Sequence, residues 1–274
     1  MHKRLLGTLT FIVATLVLAV PVQSATVTLY DGSLGTKPSA QGFFLGCENF
    51  PFPCAPEDWT ETVENGGVTL DTTPDESEKV GYIGDIRAYD ALTRADGYTL
   101  RFTVQILDEQ HSSVNRAGFS VIVLSNDLKG IELGFWEDEV WAQDYPPAFV
   151  RDEGVALDTT TLRTYELTIQ GDSYTLRSGS TVLSGPLRDY SAFGEPYNVP
   201  DFMFLGDDKT SAAAKIRLTA VDVIVPLLPP TTTPTHTLTP GPGTPSATAT
   251  VTAQPTRTGT SDALLYLPLI SQKP

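Results

Sequence analysis

A strict two-residue alternation decides what this chain can become. In YTLRFTVQIL, Tyr98, Leu100, Phe102, Val104 and Ile106 alternate with Thr99, Arg101, Thr103 and Gln105. Successive strand side chains point to opposite faces, so the segment gains one apolar and one polar face, whereas a helix would scatter both sets. GFSVIVL (118–124), IELGFW (131–136), VWAQ (140–143), TYELTIQ (164–170), SYTLRS (173–178) and IRLTAVDVIV (216–225) read as strands as well. Asn126-Asp127, Gly171-Asp172 and Ser178-Gly179-Ser180 carry turn chemistry between them, and no segment has a convincing helical stripe. Many short strands with close turns predict an all-β antiparallel sandwich or barrel. Residues 26–225 are long enough to bury one full core.

The ends have a different character. MHKR, the apolar run LLGTLTFIVATLVLAV and then PVQSA read as a secretory signal over residues 1–25, cleaved near Ser24 or Ala25. The run is shorter than the roughly 20 apolar residues of a spanning helix and Pro21 interrupts it, so no transmembrane segment is expected in the mature chain. Residues 226–262 hold mostly Thr, Pro, Ser, Gly and Ala, a composition that cannot repay the entropy of ordering and that Pro keeps extended. They predict a disordered stalk open to O-glycosylation. Residues 263–274, ending in YLPLISQKP, lack an LPxTG pattern and read as a short apolar sorting or anchoring motif. From these segments the body is expected outside the cell, at its surface. There Cys47 and Cys54 of CENFPFPC are expected to form a disulfide worth about 2 to 3 kcal/mol.

The formal charge is −15, with no basic cluster outside the signal. Binding a phosphate backbone needs Lys and Arg to displace counterions, so nucleic acid is not an expected partner. No cofactor is expected beyond a structural Ca²⁺, for which Asp207 and Asp208 are the candidate ligands, with Asn126-Asp127, Asp31 and Asp222 as further acidic turns or ends.

The meander TYELTIQGDSYTLRSGSTVLSG resembles the strand–turn–strand units of concanavalin A-like lectin/glucanase jelly rolls. YDGSLGTKPSAQGFF (30–44), RAGFSVIVLSNDLKGIELGFWEDEVWAQD (116–144), LRDYSAFG and FMFLGDD resemble the bacterial exported domain called choice-of-anchor Y. The resemblance implies a β-sandwich, export and surface attachment. It supplies no catalytic residues to carry over.

Jelly-roll glucanases use carboxylates at alternate strand positions, whereas Glu137, Asp138 and Glu139 are consecutive and must alternate sides. A hairpin with Glu137-Asp138 as its turn accounts for them better. It pairs Phe135 with Val140 and Leu133 with Ala142 on the apolar face, and sets Trp136, Trp141, Glu132 and Gln143 on the other, Trp141 over Gly134. With Arg101 and Gln105 on the polar face of another strand, these six residues form the candidate ligand site, since flat aromatics among polar groups suit a sugar ring. A packing role for both Trp residues under the DYPPAFVRDEG segment, with Arg101 paired to Glu132, is the competing reading. His111 is expected in an exposed polar loop. The expectation is a surface-displayed, non-enzymatic binding or adhesion module for glycan, with a structural envelope protein or a glycan hydrolase as alternatives.

Overall fold

The alternation produces sixteen strands in a computed structural model that describes residues 24–47, 58–85, 92–145 and 149–227. The signal-like segment, Cys54, the Thr/Pro-rich run and the YLPLI ending lie outside the described residues. In chain order the strands are β1 (Ser24–Asp31), β2 (Phe43–Cys47), β3 (Thr60–Glu64), β4 (Gly67–Asp71), β5 (Val80–Asp85), β6 (Tyr98–His111), β7 (Phe119–Leu124) and β8 (Lys129–Phe135). There follow β9 (Glu139–Asp144), β10 (Val150–Ala156), β11 (Arg163–Gln170), β12 (Ser173–Ser178), β13 (Thr181–Pro186), β14 (Arg188–Asp189), β15 (Phe202–Asp207) and β16 (Ala212–Pro226).

They form two eight-stranded sheets whose strand pairs are antiparallel. The first is ordered β13-β12-β11-β6-β16-β4-β3 with β1 also on β16; the second is β10-β9-β8-β7-β15-β5-β2 with β14 also on β8. This is the expected jelly-roll sandwich. Among the described residues, helical structure is confined to three-residue 3₁₀ turns.

The apolar sets meet between the sheets. Phe102 and Tyr165 of the first sheet stack at 5.2 Å, and Phe135 of the second meets them edge-on at 6.0 and 5.3 Å. Phe119 packs on Phe135 at 5.3 Å, and Leu100, Val104, Leu167, Val121, Val123 and Leu133 extend the same core, all buried. Each such side chain contributes on the order of 1.5 to 3 kcal/mol by leaving water.

The β8–β9 hairpin has the anticipated register. Leu133 faces Ala142, Gly134 faces Trp141 and Phe135 faces Val140, while Trp136 N donates to Glu139 O at 2.9 Å, leaving Glu137 and Asp138 as the turn. Glu132, Gly134, Trp141 and Gln143 therefore point out of the sandwich. That outer face is itself covered. A smaller apolar cluster of Ile122, Leu124, Tyr190, Tyr197, Phe202 and Phe204, joined by Tyr145 and Phe149, packs across its middle. Gly134 is needed because a Cβ there would lie 2.8 Å from the Trp141 ring and 3.2 Å from Ala117 Cβ. Gly134→Ala is accordingly expected to cost about 1 to 3 kcal/mol, read as a lower urea midpoint; an unchanged midpoint would mean that Trp141 is not seated on that backbone.

Candidate functional site

The candidate site residues are divided among three places. Arg101 and Gln105 stand on the outer face of the first sheet, across the sandwich from the Trp residues. Arg101 Nη2 donates to Asp222 Oδ2 at 3.0 Å, with Glu166 as its cross-strand neighbour on β11. Its partner is thus Asp222 rather than Glu132. Gln105 Nε2 donates to Thr160 O at 2.8 Å, and the hydroxyl pairs Thr99/Thr168 and Thr103/Thr164 are each 2.8 Å apart. These polar groups satisfy one another across the strands.

Glu132 and Gln143 lie under the apolar cover of the second sheet. Glu132 is fully buried and accepts from Lys209 Nζ and Tyr197 OH, each at 2.5 Å, while Lys209 also reaches Asp208 at 3.0 Å. Burial pushes the Glu132 carboxyl up, against the opposing pull of Lys209. Burial also opposes the Lys209 charge, but Asp208 and Glu132 hold the ammonium above its ordinary value. Gln143 Nε2 donates to Asn115 O at 3.0 Å, and Tyr190 OH donates to Gln143 O at 2.6 Å. A buried carboxylate–ammonium pair packed by aromatics holds its cover in register.

The two Trp residues are at the other end of the hairpin. Trp141 is fully buried against Gly134. Trp136 is partly exposed, but its ring stacks with His111 at 4.2 Å and lies 4.5 Å from the Arg151 guanidinium, and its Nε1 donates to Arg116 O at 2.7 Å. Arg151, from the 144–154 segment, also pairs with Glu139. His111 ends β6, with Nδ1 2.8 Å from Glu109 Oε2, rather than lying in a free loop.

Of the acidic candidates for a cation, Asp208 meets Lys209 through Oδ2 while its buried Oδ1 has no hydrogen-bond partner. Asp207 accepts from Thr72 Oγ1 at 2.7 Å and from Lys209 N at 3.1 Å, and burial pushes its carboxyl well up. Asp127 pairs with Arg94 at 2.7 Å. Asp58, Asp75 and Glu78 bring carboxylate oxygens within 4.8 Å of one another.

Among the described residues there is a cleft of about 590 Å³ at the far end of the second sheet, lined by Lys129, Asp144, Tyr145, Arg188, Asp189 and Ser191 among others. Its organising group is Arg188. With its side chain only 4% exposed, this guanidinium donates to Asp144 at 3.2 Å, to Asp152 at 2.9 Å and to Glu153 at 2.5 Å. Tyr174 OH, from the first sheet, donates to Glu153 at 2.8 Å. Burial works against the Glu153 charge, but hydrogen bonds from Arg188 and Tyr174 hold its carboxyl down to about 2. The hydrogen bond it shares with Glu153 pushes Asp152 up, with burial and the Glu153 charge adding to the effect.

The sequence holds a weak signal for this centre: a lone Arg in LRDY and the acid pair in RDEG. What hides it is a bulge. Arg151 pairs with Gln143 and Gly154 with Trp141, so one residue of β9 faces two of β10, and consecutive Asp152 and Glu153 reach the same guanidinium nitrogen instead of opposite faces.

No family model and no curated protein matches the chain. Solved structures do. A carbohydrate esterase from Shiga toxin-encoding bacteriophage phi24B is 13% identical over 74% of this chain and 100% of its own, with a TM-score of 0.47. An endo-1,3-beta-glucanase from Streptomyces sioyaensis is 11% identical over 76% and 98%, with a TM-score of 0.45. The CBM2 module of the evolved Dit of Lactobacillus casei BL23 phage J-1 is 12% identical over 76% and 99%, with a TM-score of 0.40. At these identities the likeness is one of fold. It corrects the expectation of a non-enzymatic domain, since two of these three sandwiches are enzymes and the architecture is no ground for excluding catalysis.

Two consequences are measurable. Lys209→Met leaves Glu132 buried without its counter-ion and is expected to cost about 3 to 5 kcal/mol in urea unfolding, with Glu132→Leu in the same chain recovering part of the loss; no loss would mean the pair is not buried as described. A carboxyl held low contributes stability that is present above its ordinary value of 4.5 and lost as pH falls toward about 2, while the raised Asp152 acts in the opposite sense. The wild type should therefore lose more Tm than Glu153→Gln between about pH 5 and about pH 2.5. Equal losses would show that Arg188 does not hold Glu153.

Proposed function

We propose that this sandwich recognises a glycan in the cleft beside Arg188 and is displayed at a bacterial surface by its Thr/Pro-rich stalk. One observation carries the reading: the cleft at the β14 end of the second sheet joins an aromatic ring, Tyr145, to carboxylates (Asp144, Asp189), a hydroxyl (Ser191) and an amine (Lys129) in a space of about 590 Å³. Sugars need this mixture, because the ring's C–H face packs on an aromatic while its hydroxyls donate to carboxylates and accept from amines. Tyr145 is steadied for that role by Phe193, whose ring is 4.6 Å away. Asp189 stays ionised, its carboxyl held low by hydrogen bonds from Ser191. Export and surface attachment are supported by the signal-like N-terminus, the stalk composition and the runs that resemble a choice-of-anchor Y domain. Among the described residues no helix is long and apolar enough to cross a membrane.

The test is a glycan array of the full chain followed by calorimetry on the best ligand. Tyr145→Ala and Asp189→Ala are each expected to weaken binding about tenfold or more, roughly 1.4 kcal/mol, while Trp136→Ala leaves Kd within about twofold. The opposite pattern, loss with Trp136→Ala and none with Tyr145→Ala, would move the contact to the hairpin rim and reject the cleft.

A further inference from the structure

An arginine in the wall of a cleft is the usual anchor for an anion, because its planar fork matches a carboxylate, sulfate or phosphate. Arg188 has nothing left to offer one. A guanidinium carries five N–H groups. Here Nε donates to Asp144 Oδ1 at 3.2 Å, and Nη1 donates to Glu153 Oε1 and to Pro186 O, each at 2.9 Å. Nη2 donates to Asp152 Oδ2 at 2.9 Å and to Glu153 Oε2 at 2.5 Å, so every N–H is taken up inside the protein. The side chain is 4% exposed, and an anion reaching it would first have to break one of these bonds and strand the acceptor that the guanidinium now satisfies.

The groups that do face the cleft are mainly hydrogen-bond acceptors. Asp144 gives Arg188 only Oδ1 and keeps its side chain 32% exposed. Asp189 is exposed and accepts from Ser191 N at 3.0 Å, and hydrogen bonds from the Ser191 side chain and N–H hold its carboxyl low. Tyr145 and Ser191 add hydroxyl groups, which accept as readily as they donate. The cation beside them is Lys129, whose Nζ already lies 3.6 Å from Asp172 Oδ1. A sugar hydroxyl donates to a carboxylate in a charge-assisted bond, whereas an acidic substituent would give up its water to meet like charges, with no guanidinium to receive it.

Resting on the glycan reading of this cleft, we propose that it selects neutral glycans and turns away uronates and sulfated sugars, with Asp144 and Asp189 as the specificity-determining residues and Arg188 confined to the wall. The formal charge of −15 on the whole chain adds a repulsion of the same sign at longer range when salt is low.

The test screens the full chain on an array of neutral and anionic glycans and takes the best ligand into calorimetry. Kd is measured for it and for two lightly substituted forms, one O-sulfated and one O-acetylated to the same degree, which differ in charge at matched substitution. The best ligand is expected to be neutral, and the sulfated form to bind at least about tenfold more weakly than the acetylated one at low salt, a gap that narrows as salt screens the carboxylates. Asp189→Asn keeps an acceptor and removes the charge, so it should shrink the same ratio about threefold or more at low salt. Loss of folding would weaken both forms alike and leave the ratio unmoved, and circular dichroism checks the variant. A best ligand that is anionic, a sulfated form bound as tightly as the acetylated one, or a gap that neither salt nor Asp189→Asn alters would overturn the selection and leave the glycan reading standing. No binding to any glycan would remove both.

Discussion

The register of the β8–β9 hairpin governs the second sheet. Because Phe135 and Leu133 must face the core opposite Val140 and Ala142, the residues between them have no choice of side. A slip of one residue would place Glu132 and Gln143 among Phe102, Phe119 and Tyr165 and expel the apolar set, an exchange costing many times the net stability of a domain. The same register forces Glu132 and Trp141 outward, into positions where solvent would ordinarily reach them. The fold answers by laying Tyr190, Tyr197 and Phe149 across the sheet and by giving Glu132 a buried counter-ion in Lys209.

That cover decides where chemistry can occur. The middle of the face is filled and its charges are paired, and a cleft lies instead at the end where β14 joins β8. There Arg188 ties the end of β9 and the bulged β10 to Tyr174 of the first sheet. One guanidinium thus performs two tasks, joining the edges of the sheets and gathering three carboxyls beside an open cleft. The first sheet shows the contrasting solution. Its outward threonines, Arg101 and Asp222 pair laterally along the strands, which leaves that face polar and self-satisfied.

Much of this was legible from residue order. Alternation predicted β6 to β9, β11, β12 and β16 but not β1 to β5 or β10, and the hairpin argument placed Gly134 under Trp141 and Glu137-Asp138 at the tip. Periodicity gives the face of a residue but not what comes to lie over that face. For that reason the six candidate residues are not gathered in one place, and Arg151 and His111 pack on Trp136 from other segments. Arg101 was assigned a partner on the wrong sheet because strand neighbours across β6 and β16 are fixed by topology, not by spacing. The Asp152–Glu153 pair carries no sequence signal of convergence, while the same alternation places Glu137-Asp138 at the hairpin turn. Consecutive acids alternate sides on a regular strand, and only a bulge, invisible in composition, lets both point to Arg188.

The most direct measurement of the central claim is amide hydrogen exchange on the full chain with and without a neutral oligosaccharide that it binds. The account predicts slowed exchange at residues 186–192 and at 144–145, around the cleft, with no change at 134–141 or along the outer face of β6 and β11. Protection at the β8–β9 tip around Trp136, with none at 186–192, would contradict it and place the glycan on the hairpin rim.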